Sequence, residues 1–146
     1  MMQLRYLRHM KIRDEMTKGV ATVGIDDPLT DAIDAMARND ISGIVVVYPN
    51  GTAAGVVSSF DIVRVLSEKS REEIKKMTAD DVMTDIISIE PEKTIGDALK
   101  LMVEKRIHRV VVLSSTQAGG KPIGVLSATD IVKKVRGEKP TLMTNA

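Results

Sequence analysis

One ten-residue pattern occurs twice in this 146-residue chain, and it constrains the fold more than any other feature. The first copy reads Gly55-Val-Val-Ser-Ser-Phe-Asp-Ile-Val-Arg64 and the second reads Gly124-Val-Leu-Ser-Ala-Thr-Asp-Ile-Val-Lys133. In each copy an apolar, β-branched run ends at a serine, and a helical pattern starts directly after it. The chain is therefore expected to turn from strand to helix at Ser58 and again at Ser127.

The repetition extends well beyond these two corners. Asp31 and Asp97 are separated by 66 residues (97 − 31), and Gly55 and Gly124 by 69 residues (124 − 55). The difference falls in a hairpin loop, where insertions are tolerated most easily. The sequence therefore predicts an α+β fold of two β-α-β-β-α units. Because each unit has too small a core to stand alone, we expect the two to pack sheet to sheet about a pseudo-twofold axis.

The local patterns place matching elements in both copies of the repeat. The first copy is predicted to contain a turn at 14–17, a strand at 20–23, a helix after the start signal Asp26-Asp27-Pro28, strands at 44–48 and 53–57, and a helix at 59–66. The second copy is predicted to contain a turn at 80–84, a strand at 86–89, a helix through Ile95, Leu99 and Met102, strands at 110–113 and 123–126, and a helix at 128–135.

These elements define the predicted domain boundaries. The opening segment has apolar residues on one side, which suits a short amphipathic helix, although a frayed end is an equally good interpretation. The predicted segments are an N-terminal helical segment (1–11), a first domain (12–70), a helical connector (71–78), a second domain (79–136) and a C-terminal tail (137–146).

Composition excludes several classes of function. With 21 basic and 20 acidic residues the net charge is +1, so no global field favours nucleic acid or membrane surfaces. The chain has no cysteine, which excludes disulfides, thiolate metal sites and thiol nucleophiles. Its apolar runs are strand-sized, and Arg5 comes too early for a signal peptide. We therefore expect a soluble, cytoplasmic protein.

Each predicted corner collects groups that suit a ribose-phosphate. The acids Asp61 and Asp130 can accept sugar hydroxyls, while the hydroxyls of Ser58 and Ser127 lie beside helix amides that favour anions. The structural alternative is a capping box, in which serine and acid satisfy each other's amides. Two details favour a ligand: aspartate is shorter than the usual glutamate, and a small glycine earlier in each copy leaves room beside the strand.

A basic segment precedes one buried strand of the second copy. Arg106-Ile-His-Arg109 has the counterpart Asp40-Ile-Ser-Gly43 in the first copy. Basic residues at a helix end complement the helix dipole, which is one explanation. The other is that His108 and Arg109 reach the anion site, where the planar guanidinium suits phosphate. In that case Ser42 would stand in place of His108, and phosphate would be bound asymmetrically.

Enzymatic chemistry has little support in the sequence. No nucleophile–base pair, metal cluster or acid pair with suitable spacing is present, and the two histidines, His9 and His108, form no metal motif. No catalytic or metal residue is therefore predicted. Binding of nucleic acid through the basic N-terminal segment and Lys133–Arg136 stays open as an alternative, although these lysines are also typical of a solvated helix face.

Beyond these inferences, the chain resembles a tandem pair of CBS domains, the cystathionine-β-synthase-type regulatory module. The resemblance is carried by Met16-Thr17 and Met83-Thr84, by the apolar strands and by both corner patterns, over about residues 10–136. It implies a Bateman-type module, not an enzyme, with two clefts between the units that bind AMP, ADP or ATP, or sometimes S-adenosylmethionine. It also implies energy sensing and association into a homodimer, and we expect the regulated protein to be a separate chain.

The resemblance also assigns roles to individual residues. It implies that Asp61 and Asp130 bind the ribose. The groups implied for phosphate are Ser58, Ser127 and Thr129, together with His108 and Arg109, whose strand resembles the phosphate-contacting strand in the gamma subunit of AMP-activated kinase. For adenine it implies Thr17, Thr22 and Val23 at the Asp130 site, and Thr84, Ile86 and Ile87 at the Asp61 site. Because Phe60 replaces Thr129 in the first copy, we expect the Asp61 cleft to bind more weakly or to hold a less charged ligand.

Overall fold

The computed structural model describes residues 1–116 and 119–137, so the predicted tail lies outside the described residues except for Gly137. The α+β class is confirmed. The helices are α1 (Leu4–His9), α2 (Ile12–Glu15), α3 (Leu29–Asn39), α4 (Ser59–Glu68), α5 (Arg71–Lys75), α6 (Ile95–Lys105) and α7 (Ala128–Arg136), with a 3-10 turn at Ala79–Asp81. The strands are β1 (Thr17–Lys18), β2 (Thr22–Gly24), β3 (Gly43–Val47), β4 (Ala53–Ser58), β5 (Ser88–Ile89), β6 (Arg109–Leu113) and β7 (Pro122–Ser127). Of the helices described, none combines the length and the apolar character needed to cross a membrane.

Two compact units make up the structure, and neither is one continuous stretch of sequence. The Asp130 unit contains Met1–Gly19, Ser88–Thr116 and the chain from Ile123 onward. The Asp61 unit contains Val20–Ile87 and the end of the loop that leads to Pro122. Each unit therefore includes the Met–Thr segment that opens the other sequence repeat. The predicted domain boundaries follow the repeats, and they stay a prediction, as does the pseudo-twofold packing.

The sheet of the Asp61 unit has the strand order β2-β3-β4, with β2 parallel and β4 antiparallel to β3. An antiparallel bridge between Val56 and Thr84 extends this sheet at β4. The core consists of aliphatic side chains and Met36, including the fully buried Leu29, Val46 and Val57. This fits a chain with only 2% aromatic residues, because valine and isoleucine must fill the interior.

The sheet of the Asp130 unit has the order β1-β7-β6-β5. Strand β1 is antiparallel to β7, with Thr17 opposite Val125, and β5 is parallel to β6. Helix α1 packs against α6 and buries Leu7. Strand β1 was not predicted, because two residues carry no periodic pattern. The predicted strand 86–89 is also shorter in the structure, where only β5 is extended and paired.

Two glycines occur where another backbone crosses the strand closely. A Cβ atom on Gly55 would lie 2.7 Å from the carbonyl oxygen of Thr84, and one on Gly124 would lie 2.8 Å from that of Thr17. Such contacts are too short for any side chain. The expectation that these glycines leave room for a ligand is therefore wrong, because the neighbouring Met–Thr segment occupies that space.

The helix starts differ in how their amides are satisfied. Helix α3 follows Pro28, which has no side-chain cap, and Asp27 instead accepts a hydrogen bond from the Gly24 N–H at 2.7 Å. Helix α6 starts with a complete capping box between Thr94 and Asp97. The Thr94 backbone N–H donates to the Asp97 carboxylate at 3.0 Å, and this bond, followed by that of the Thr94 hydroxyl, lowers the pKa of Asp97.

Candidate functional site

The Asp61 corner is a complete capping box. Strand β4 ends at Ser58, whose hydroxyl oxygen accepts a hydrogen bond from the Asp61 N–H at 3.2 Å. The Oδ2 atom of Asp61 accepts hydrogen bonds from the Ser58 N–H at 2.8 Å and from the Ser58 hydroxyl at 2.9 Å. The capping box that the sequence offered as the structural alternative is therefore formed here, since the carboxylate of Asp61 accepts from the Ser58 amide and the Ser58 hydroxyl oxygen accepts from the Asp61 amide.

A second interaction engages the other oxygen of the same carboxylate. The Arg64 guanidinium donates to Oδ1 of Asp61 at 2.5 Å, and it lies 5.5 Å from the centre of the Phe60 ring. Asp61 is only 4% exposed. Sequence reasoning did not single out Arg64, although its position three residues after an acid on a helix is a recognisable pairing signal. The ribose role of Asp61 stays a prediction.

The Asp130 corner has the same backbone but a different side-chain arrangement. The Ser127 hydroxyl oxygen accepts a hydrogen bond from the Asp130 N–H at 3.1 Å, so the serine caps α7. The reciprocal half of the box is not formed. Within the residues that the structure describes, the half-buried Asp130 carboxylate accepts no hydrogen bond and forms no ion pair. The acid is therefore available to a ligand.

Asp130 lines a cavity of about 250 Å³ within its unit. The other charged and polar lining residues are Glu15, Thr17, Lys133 and Lys134. Lys134 forms an ion pair with Glu15 at 2.7 Å, whereas Lys133 forms none with the described part of the chain. The interpretation of these lysines as a solvated helix face is therefore incomplete, because both border the cavity. The remaining walls are aliphatic and consist of Leu7, Ile95, Leu126 and Ile131.

The basic segment before β6 lies at the start of α7. The carbonyl oxygen of His108 accepts a hydrogen bond from the Ala128 N–H at 2.7 Å. In the Asp61 unit the carbonyl oxygen of Ser42 accepts the equivalent bond from the Ser59 N–H at 2.9 Å. His108, Arg109 and Thr129 are exposed, and their proposed contacts with phosphate stay predictions.

The residues predicted to contact adenine are distributed over both units. Thr17 lines the Asp130 cavity, as the resemblance implies. Thr84 exchanges two backbone hydrogen bonds with Val56, at 2.9 Å and 3.0 Å, beside the Asp61 corner. The others lie in the Asp61 unit, and their role stays a prediction: Thr22, Val23, Ile86 and Ile87. Over residues 1–116 and 119–137 no group of three or more His, Asp or Glu side chains is placed to hold a metal ion.

Comparison with known proteins identifies the family. The CBS domain family matches residues 12–68 and 79–137. The uncharacterized protein MJ1426 of Methanocaldococcus jannaschii is 30% identical over 155 residues, covering 85% of this chain and 90% of that protein. MJ1232 of the same organism is 30% identical over 132 residues, covering 90% of this chain but only 42% of that protein.

Solved structures agree with this match. The crystal structure of CBSX2 in complex with AMP has a TM-score of 0.73 and 25% sequence identity, and the comparison covers 88% of this chain and 97% of that one. Both the repeated corners and the Met–Thr segments lie within the matched ranges. The chain therefore belongs to the CBS domain family and carries a tandem pair of CBS domains.

Proposed function

We propose that this protein is a non-catalytic regulatory module that binds an adenine nucleotide, AMP, ADP or ATP, at the Asp130 corner. In this proposal ligand binding reports the energy state of the cell to a separate regulated protein. The observation that carries the proposal is the Asp130 carboxylate, which is half-buried in a cavity and accepts no hydrogen bond from the described residues. Such a group can accept both hydroxyls of a ribose. The AMP complex of the similar CBSX2 supports the choice of ligand.

The cavity suits part of a nucleotide rather than a whole one. Its volume of about 250 Å³ is below the roughly 300–1,000 Å³ of pockets that bury drug-sized ligands. We assign it to the ribose and the adjoining phosphate. The phosphate would lie towards the start of α7, where Ser127, Thr129, His108 and Arg109 are predicted to contact it. The helix dipole favours an anion there.

S-adenosylmethionine is the alternative ligand, because it presents the same ribose. It carries a sulfonium cation where a nucleotide carries phosphate. The charged side chains of the lining cancel, since Glu15 and Asp130 face Lys133 and Lys134. The positive end of the α7 dipole then favours phosphate over the sulfonium cation. We therefore expect nucleotides to bind more tightly than S-adenosylmethionine.

Calorimetric titration with AMP, ADP, ATP and S-adenosylmethionine tests the proposal. The Asp130→Asn variant should lose about 10- to 150-fold in nucleotide affinity, which corresponds to about 1.5–3 kcal/mol for hydrogen bonds to a charged group. Glu104→Gln is the matched control, since it neutralises an exposed acid on α6 of the same unit. Unchanged affinity in Asp130→Asn, or failure of the protein to bind any of these ligands, would contradict the proposal.

We also propose that the protein is a cytoplasmic homodimer. Helix α4 exposes three large apolar side chains, Phe60, Val63 and Leu66, which are 58–70% exposed. Val132, the counterpart of Val63 on α7, is 65% exposed. A twofold dimer can cover identical patches of this kind. Light scattering after gel filtration should give twice the chain mass, and Leu66→Glu should shift it to the mass of one chain; a wild-type monomer would exclude the dimer.

A further inference from the structure

We propose that Arg64 closes the Asp61 corner, so that each chain binds one nucleotide, at Asp130. Arg64 and Phe60 would then be the residues that determine which of the two corners is a binding site. This inference rests on the proposed function, because it concerns how many of the repeated corners take up the same ligand.

The acceptor capacity of Asp61 is largely used within its own helix. Its Oδ2 atom already accepts two hydrogen bonds from Ser58, and its Oδ1 atom accepts one from Arg64. A ribose would have to replace the Arg64 contact to bind with both hydroxyls. Binding at Asp61 therefore requires the loss of an existing charge-assisted hydrogen bond, a cost that does not arise at Asp130. Little of Asp61 is accessible in any case, since the residue is 4% exposed.

A second interaction holds Arg64 in place. Its guanidinium lies over the Phe60 ring at 5.5 Å from the centroid, within the range of a cation–π interaction. Most of the Phe60 side chain is outside the core, since the residue is 70% exposed. Arg64 is therefore bound from two sides, by the acid at one end and by the ring across its plane.

Both residues are replaced in the other copy of the repeat. At the corresponding positions the Asp130 corner has Thr129 and Lys133. An ammonium lacks the planar fork that pairs with a carboxylate, and threonine offers no aromatic face. In agreement, Lys133 forms no ion pair within the described residues, and Asp130 remains without a partner there. These two side chains thus distinguish the Asp61 corner, where Arg64 binds the acid, from the Asp130 corner, where the carboxylate has no partner among the described residues. We call the first corner closed and the second open.

Counting AMP molecules bound per chain, by equilibrium dialysis and by calorimetry, tests this inference. Wild-type protein should bind one AMP per chain, and Asp130→Asn should bind none at concentrations that saturate the wild type. The double variant Phe60→Thr with Arg64→Lys copies the open corner into the Asp61 unit, and it should bind two. Adding Asp130→Asn to that double variant should leave one.

The reverse exchange, Thr129→Phe with Lys133→Arg, is the matched control and should abolish binding by closing the Asp130 corner. Circular dichroism and the urea midpoint establish that each variant is folded.

Two AMP molecules per wild-type chain, or one per chain in the Phe60→Thr, Arg64→Lys variant, would overturn the inference but leave the proposed function intact. If Arg64 instead swings out to bind phosphate, the Arg64→Lys change should weaken a second site rather than create it. Absence of AMP binding by the wild type would overturn the proposed function itself, and this inference with it.

Discussion

The two strand-to-helix corners share one backbone and differ in what surrounds the acid. In both, a serine hydroxyl oxygen caps the helix, and the first helical N–H donates to the carbonyl of the residue that precedes the neighbouring strand, Ser42 before β3 or His108 before β6. The carboxylate of Asp61 is engaged at both oxygens, whereas that of Asp130 has no partner among the described residues. Duplication of the backbone therefore does not duplicate the surroundings of the acid, because the two copies differ at Phe60/Thr129 and Arg64/Lys133.

The largest effect should come from a feature that the corners have in common. Gly55→Ala and Gly124→Ala should each lower the free energy of unfolding by about 3 kcal/mol, because the added Cβ meets a backbone oxygen that can only yield by moving the crossing segment. Gly119→Ala is the control, since it has a positive φ but no atom within 4 Å of the new Cβ, and it should lose only about 1 kcal/mol. Urea denaturation measures all three variants. If Gly55→Ala or Gly124→Ala were as stable as the wild type, the close approach of the crossing backbone would not require glycine at that position.

The acids themselves should differ in their contribution to stability. Asp61→Asn should lower the free energy of unfolding by about 1.5–3 kcal/mol, because charge-assisted hydrogen bonds with Ser58 and Arg64 are lost. Asp130→Asn should change it by less than about 0.5 kcal/mol, since its carboxylate has no partner among the described residues. The two variants form a matched pair in chemical denaturation without ligand. Equal losses would mean that the corners are energetically alike.

A smaller difference is expected between the capping serines. Ser58→Ala should cost about 1–2 kcal/mol, whereas Ser127→Ala should cost about 0.5–1 kcal/mol, within the range for N-cap substitutions. Ser58 accepts from one amide and also donates its hydroxyl to Asp61, while Ser127 only accepts from the Asp130 N–H. Thermal unfolding of both variants measures the difference, and a larger loss for Ser127→Ala would contradict this account.

The smallest effect concerns pH and the start of α6. There Asp97 accepts the hydrogen bonds that Asp130 does not, and its pKa lies below the ordinary value of 3.8. A lowered pKa in the folded state means that the stabilisation is complete above that ordinary value and is lost as pH falls through the folded pKa. For an exposed acid the loss should be about 0.5 kcal/mol.

Urea denaturation at a series of pH values tests this expectation. Asp97→Asn should flatten the decline of stability between pH 5 and pH 2, and Thr94→Ala should flatten it only in part, because the backbone N–H at position 94 still donates. A pH profile that is identical in wild type and Asp97→Asn would exclude the contribution.

Much of the fold follows from short-range signals in the sequence. Strands β3, β4 and β7 and helices α4 and α7 lie within one or two residues of their predicted positions, because alternation, helical spacing and the serine boundary are all local. Strand β1 was not predicted, because its two residues form a strand through their pairing with β7, which is distant in the sequence. Helix α3 starts directly after Pro28, as predicted, although the Asp27 carboxylate accepts a hydrogen bond from the Gly24 N–H and not from a helical amide.

For the candidate site, the sequence indicated which residues lie at each corner, but not whether another side chain binds the acid. The repeated pattern indicates both acids and both serines, whose binding roles stay predictions, and the resemblance indicates Thr17, which lines the Asp130 cavity. The Arg64 contact was not, because a charge three residues away can extend into solvent as readily as it can pair. Lys133 shows this directly, since it has the same spacing from Asp130 but forms no ion pair with the described residues.

The sequence by itself determined the repeat, most of the secondary structure and the identity of the residues at each corner. These depend on patterns that extend over a few neighbouring positions. Only the tertiary structure decided that Met83-Thr84 and Met16-Thr17 cross the two glycines, and that one acid is closed by Arg64 and Phe60 while the other lines a cavity. The physical reason is that these contacts join groups that are distant in the sequence or carried on flexible side chains. Which partner such a group contacts depends on the residues that folding brings close to it, and a local sequence pattern does not contain this information.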